Sequence, residues 1–312
     1  MVALRRKSAP AVSSPAPAEE RVLAEPIAII GIGCRFPGAD GPRAFWRLLA
    51  DGVNAISEVP SQRWDAAAYY DPQLSPGTMN TRRGGFLKDV DAFDASFFGI
   101  SPREAIQMDP QQRLLLEKSC DALQDAGYAL DAIAGSATGV FVGMCYNDYE
   151  DIMFRDRAGL DLYTTMGGSR FAAAGRLSFV FDLQGPSIVI DTACSSSLVA
   201  VHLACQSLRT GECTMALAGG VNLILQPHVN ICLAQGKVLA PDGHCKFGDA
   251  AADGYARSEG VGVVVLKPLS KALADRDPIY AVILATAVNH KGKRDGGLVT
   301  PSPESLKAVM QD

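Results

Sequence analysis

The sequence predicts a layered α/β domain built on a mixed, largely buried sheet. Three observations predict it. Apolar runs of strand length recur along the chain, and helical segments separate most of them. The first run is also apolar throughout rather than alternating, as a strand buried on both faces requires.

That first run covers residues 27–33, just after Glu25-Pro26, where ordered structure is expected to begin. Its Gly31-x-Gly33 invites a dinucleotide-binding reading. The third glycine position of that fingerprint holds Phe36, however, and Pro37-Gly38 stands where a helix should start, so the reading fails. Residues 40–98 are loop-rich, with the aromatics Trp46, Trp64, Tyr69 and Tyr70 among Pro, Gly and Asp. A helix signal follows, with Asp109 as N-cap, Pro110 at N1 and Gln112 at N3 to complete a capping box. Leu115, Leu116, Ala122, Leu123 and Ala126 give that helix its apolar positions, and Gly127 is its natural stop. Further strands are expected at residues 139–143, 187–191, 215–221 and 262–267, and one more at 280–285, beyond Pro268. Three parts are expected: a disordered Ala/Pro/Ser-rich leader or linker over 1–24, a main unit over 25–268, and the truncated start of a second unit over 269–312.

Composition excludes several classes of function. With 48% hydrophobic and 20% charged residues, the 312-residue chain can bury a sizeable core. A net charge of -5 and the absence of a dense Lys/Arg run argue against nucleic acid as a partner. No uninterrupted apolar stretch approaches the roughly 20 residues needed to span a bilayer. Arg5, Arg6 and Lys7 are followed by no apolar segment; an Arg-bearing, acid-poor start can mimic a transit peptide, but a disordered leader fits the composition better. The eight cysteines form no Cys-x-x-Cys pair and accompany no export signal, so free thiols in a reducing cytoplasm are expected.

One cysteine is singled out by its surroundings. Over residues 187–200 an apolar strand ends, small residues make a tight turn, and an apolar helix begins with Cys194 at the junction. This is the geometry of a nucleophile elbow with sulfur in place of the usual serine oxygen. Ser195, Ser196 and Ser197 can cap the helix, whose N-terminal partial positive charge favours the reactive thiolate. The helix itself carries Leu198, Val199, Val201, Leu203, Ala204, Cys205 and Leu208 on nearly all sides, which predicts burial and the exclusion of water. Spacing alone leaves a packed core thiol at a tight turn as the alternative.

Asp191-Thr192-Ala193-Cys194-Ser195-Ser196-Ser197-Leu198 resembles the active-site motif of β-ketoacyl synthase (ketosynthase) domains of modular type I polyketide synthases. The segment from Glu25 to Gly38 is similar to that family's opening, and Met108-Asp109-Pro110-Gln111-Gln112-Arg113 to its dimer-side helix start. Gly219-Gly220-Val221-Asn222, Leu239-Ala240-Pro241-Asp242-Gly243 and Ala250-Ala251-Ala252-Asp253-Gly254-Tyr255 match further blocks in the same order, so the likeness covers roughly residues 25–312.

The resemblance implies a thiolase-like fold, layered α-β-α-β-α, of which this chain holds the N-terminal half and the start of the C-terminal half. It implies an acyltransferase of polyketide or fatty-acid biosynthesis, homodimeric when complete. Cys194 would accept an acyl chain, its backbone N–H serving as an oxyanion donor. A malonyl-type thioester would then lose CO2 and attack the Cys194 thioester in a decarboxylative Claisen condensation. No cofactor is expected to bind tightly; substrates ride on the phosphopantetheine of an acyl carrier protein domain. A downstream acyltransferase and other synthase domains are the further partners.

The family also uses two histidines, in a His-Gly-Thr-Gly block and an Asn-x-Gly-His block, and neither block occurs here. His202, His228, His244 and His290 lack those neighbours, and no catalytic role is carried onto them. His202 falls eight residues into the nucleophile helix, about 12 Å along its axis from Cys194, and is expected to pack rather than react. Acyl loading without condensation is therefore the expectation for this chain alone, with an apolar face left uncovered. A non-catalytic interaction or assembly piece is the competing reading, and a thiol hydrolase using the elbow alone is a weaker one.

Overall fold

The computed structural model describes residues 24–293, 297 and 300–311, so the expected leader lies, but for Ala24, outside the described residues. Seven strands make one sheet: β1 (Ile27–Phe36), β2 (Ala39–Asp40), β3 (Thr138–Gly143), β4 (Ser187–Ile190), β5 (Met215–Asn222), β6 (Gly260–Pro268) and β7 (Ala281–Ile283). Their order is β2-β1-β6-β5-β3-β4, with β7 beside β1 on the edge that β2 also occupies. The pairings β4–β3 and β3–β5 are parallel, whereas β5–β6, β6–β1 and β1–β7 are antiparallel. The sheet is mixed, as expected, and all six residues of β3 are buried, as a strand covered on both faces must be.

Three helices place the functional site: α1 (Pro110–Asp125), α2 (Phe171–Val180) and α3 (Ser196–Thr210). A large apolar cluster on one face joins Leu115, Leu116 and Leu123 of α1 to Leu177 of α2, Val140 and Val142 of β3 and Val263 of β6. On the opposite face Ala200, Ala204, Cys205 and Leu208 of α3 pack on Phe141, Ala216, Ala218 and Leu266. A smaller cluster of Trp64, Met79, Phe86, Ile224 and Leu239 gives the loop-rich stretch its own core.

The glycines of β1 have a packing reason, which also explains why the dinucleotide reading fails. A Cβ on Gly31 would lie 2.2 Å from the Ala122 carbonyl oxygen, and one on Gly33 would lie 2.0 Å from that of Lys118. They let α1 lie directly on the strand.

The start of α1 needs one correction. Asp109 caps it by accepting from the Gln111 N–H at 2.8 Å with Pro110 at N1, but no capping box forms. The Asp109 N–H donates instead to the Gly167 carbonyl at 3.0 Å. The Gln112 amide is drawn to the same place: its Nε2 donates to Gly167 O at 2.8 Å, and its Oε1 accepts from Arg176 Nε at 2.8 Å. A tertiary contact thus outcompetes the local one. The C-terminal end follows expectation, with Gly127 at a φ of +84°.

A second correction concerns α3, which is not enclosed. Its Ala200, Ala204, Cys205 and Leu208 are buried, but Leu198 is 74% exposed, so only the sheet-facing side is covered.

Candidate active site

The elbow is built where β4 gives way to α3. Asp191 follows the strand, and its carboxylate accepts from the Ala193 N–H at 3.1 Å while Arg170 Nη1 donates to it at 2.7 Å. The backbone hydrogen bond from Ala193, aided by the Arg170 charge, holds the Asp191 carboxyl below its ordinary value. Ala193 sits at a φ of +54°, a left-handed conformation that costs a non-glycine residue about 1 kcal/mol or more. Ala193–Ser195 form a single 3-10 turn, and α3 begins at Ser196.

The serines behave differently from the sequence reading. Ser195 occupies the cap position but makes no side-chain cap. Its Oγ donates to the Thr192 carbonyl at 2.9 Å, and Ser196 Oγ donates to the Ala193 carbonyl at 2.6 Å while accepting from the Thr192 N–H at 2.9 Å. The hydroxyls brace the turn from inside and stabilise the strained Ala193.

Two glycines seat this turn on the sheet. A Cβ on Gly143, the last residue of β3, would stand 2.7 Å from the Ser197 nitrogen, and one on Gly220 of β5 would stand 3.0 Å from Ser197 Cβ. The N-terminus of α3 therefore rests on the carboxyl ends of parallel strands, the customary place for a ligand site in such sheets. Cys194 is exposed there and lines a cavity of about 480 Å3. Phe36, Cys145, Tyr146, Asn222, Leu233, Tyr255 and Arg257 also line it.

The lining contains groups that the sequence reading missed. Cys145 Sγ donates to the Ala193 carbonyl at 3.3 Å and lies 3.2 Å from Ser196 Oγ; burial pushes its thiol up. Arg257 is buried, with Nη1 donating to Asn230 Oδ1 at 2.5 Å and its guanidinium 5.3 Å from the centroid of the Tyr146 ring. Glu259 also lines the cavity, but its carboxylate is taken up by the Leu87 N–H at 2.7 Å, the Ile224 N–H at 2.9 Å and Arg63 at 3.2 Å. Their one sequence signal is Tyr255-x-Arg257-x-Glu259, alternate residues leading into the apolar strand β6.

None of the four histidines lines the cavity. His202 Nδ1 lies 2.9 Å from Thr286 Oγ1, His244 Nδ1 lies 3.3 Å from Asn54 Nδ2, and His290 Nδ1 accepts from the Gly292 N–H at 2.9 Å. His228 opens the helix His228–Gln235. Among the described residues no group of His, Cys, Asp and Glu could hold a metal ion, and no helix is long and apolar enough to cross a membrane.

Comparison with known proteins agrees with this architecture. Residues 24–272 match the family model described as the β-ketoacyl synthase N-terminal domain. The chain is 52% identical over 290 residues to a phenolphthiocerol/phthiocerol polyketide synthase subunit of Mycobacterium tuberculosis, covering 92% of this chain and 16% of that one. It is 50% identical over 292 residues to another phenolphthiocerol/phthiocerol polyketide synthase subunit from the same species, covering 93% of this chain and 19% of that one. Among solved structures, an oxazolomycin ketosynthase domain of Streptomyces albus superposes with a TM-score of 0.86 at 41% identity, over 92% of this chain and 50% of that one. The ketosynthase from module 6 of the bacillaene synthase of Bacillus subtilis gives 0.82 at 40% identity, over 92% of this chain and 48% of that one. The chain thus spans 16% and 19% of the two polyketide synthase subunits, and 50% and 48% of the two solved ketosynthase chains. With its thiolase-like α/β architecture, this chain belongs to the β-ketoacyl synthase family of condensing enzymes, on the polyketide synthase side of it.

Proposed function

We propose that this chain is the nucleophile-bearing part of a polyketide synthase ketosynthase, in which Cys194 accepts an acyl chain from a carrier-bound thioester. One observation carries the reading: Cys194 stands exposed on a strained, serine-braced elbow, at the carboxyl ends of parallel strands and at a cavity. An elbow of this kind presents sulfur to a carbonyl while its own backbone stays fixed. The thiolate attacks the thioester carbonyl, the backbone N–H of Cys194 donates to the oxygen that gains charge, and the phosphopantetheine thiol leaves.

The acyl group then waits on Cys194 for a malonyl-type extender to lose CO2 and attack as an enolate. The enolate oxygen needs donors of its own, and none of the four histidines lines the cavity to supply them. The same reading makes residues 25–268 the nucleophile half and 269–312 the opening of the other half. An acyl carrier protein domain, a downstream acyltransferase and other synthase domains are the partners, the complete form is a homodimer, and the compartment is the cytoplasm.

Iodoacetamide labelling of the full-length polypeptide followed by mass spectrometry tests this reading. Cys232 and Cys245 are also exposed and serve as internal references. Cys194 is expected to label ahead of both, and Cys194→Ala to abolish acylation by an acyl-pantetheine thioester. An unlabelled Cys194 beside a reacting Cys232 or Cys245 would overturn the assignment.

A further inference from the structure

The least compensated charge in the cavity is Arg257. It is 7% exposed, and a guanidinium carries five N–H donors and cannot be neutralised by losing a proton. One donor reaches Asn230 Oδ1, and the cation rests on the Tyr146 ring. The two acidic neighbours whose charges reach it, Asp148 and Glu259, are engaged elsewhere: Asp148 accepts from the N–H groups of Leu225 and Gln226, and Glu259 from Leu87, Ile224 and Arg63. Among the described residues no protein acceptor meets the remaining donors of Arg257, and they are open to solvent rather than sealed in the core. Burial accordingly depresses the guanidinium's affinity for its proton. Tyr255 lines the same cavity as Arg257 and Cys194, and burial pushes its hydroxyl up.

We propose that Arg257 is a specificity-determining residue that hydrogen-bonds an oxygen on the chain held by Cys194, selecting acyl groups oxygenated near the thioester, as hydroxyl or ketone, over saturated ones. The inference rests on Cys194 being the acylated residue. A saturated chain would fill the cavity and leave the guanidinium donors unmet, and such unmet donors are what makes a polar site discriminate. The extender's carboxylate is a poorer fit. Decarboxylation removes charge from that group, so a cation holding it would stabilise the ground state more than the transition state. A neutral oxygen keeps its hydrogen bond throughout the reaction.

The test uses the full-length polypeptide and three pantetheine thioesters: butanoyl, β-hydroxybutanoyl and β-oxobutanoyl. Rates of Cys194 acylation are read by intact-mass spectrometry. Wild-type protein is expected to favour the two oxygenated chains by about 10- to 100-fold in kcat/KM. Arg257→Met should erase that preference, bringing the ratio of oxygenated to butanoyl loading to about 1, and Arg257→Lys, which keeps the cation but loses the planar fork, should fall between them. A wild-type protein that loads all three chains equally would overturn the role of Arg257, and this outcome needs no variant to fold. A preference surviving in the Met or the Lys variant at wild-type strength would overturn it as well. No loading of any chain would instead sink the Cys194 reading underneath.

Discussion

Helices α1 and α3 lie on opposite faces of one sheet, and both need glycines in the strands beneath them, yet they are built to opposite ends. In α1 twelve of sixteen residues are buried, and its N-terminus is closed by the Asp109 carboxylate. In α3 six of fifteen are buried, and its N-terminus makes no side-chain cap. The serines that could have capped it are spent on the turn before it, and Cys194 stands in front of the helix. The first helix end is satisfied by a side chain, whereas the second is not. An open helix terminus beside a nucleophile suits an oxyanion.

Glycine substitutions would break this comparison most sharply. For Gly33→Ala, a Cβ 2.0 Å from the Lys118 carbonyl forces α1 off the strand, with an expected loss of about 3 kcal/mol in chemical unfolding. The molecules that remain folded should still acylate Cys194, because α1 does not touch the elbow. For Gly143→Ala the clash is with the Ser197 nitrogen at 2.7 Å, and the expected loss is smaller, about 2 kcal/mol. Acylation should nevertheless fall further than the folded fraction, since the displaced segment carries Cys194. Equal acylation per folded molecule in the two variants would erase the distinction.

The closed end of α1 should also report on pH. Burial pushes the Asp109 carboxyl up from 3.8 to about 7, against the hydrogen bonds from Gln111 and the charge of Arg113. Between those values the folded chain holds a proton that the unfolded chain has released. This group's contribution to stability therefore falls as pH rises toward 7, by at most about 1.4 kcal/mol per unit. Asp109→Asn removes the titration, so urea midpoints of the variant should gain on wild type between pH 5 and pH 7. A difference that stays flat with pH would show that Asp109 is ionised throughout.

Much of the sheet was legible because strands buried on both faces must be apolar along their length: residues 139–143, 215–221 and 262–267 fall inside strands of the structure, while 187–190 form β4, an apolar edge strand that is largely exposed. The elbow was legible because its strand, turn and helix are contiguous. What could not be read locally was misread or missed. Gln112 has the right spacing for a capping box, but Gly167, 55 residues away, claims its amide. Arg257, Asn230 and Tyr146 come from three separate segments, so only the fold shows that they share a site. The apolar content of α3 promised enclosure on all sides, yet periodicity records what a helix can bury rather than what is there to cover it.

The smallest predicted effect falls on the open side of α3. Leu208 is 5% exposed and packs against the sheet-side cluster, so Leu208→Ala should cost about 3 kcal/mol through lost burial and the cavity left behind. Leu198 is 74% exposed, so Leu198→Ala should change the stability of this chain by no more than about 0.5 kcal/mol. The same pair of substitutions compared in the full-length polypeptide sharpens the point. A Leu198 cost that grows to match that of Leu208 would show that the open side of α3 is covered there. An unchanged, near-zero cost would show that this side of α3 faces water there as well.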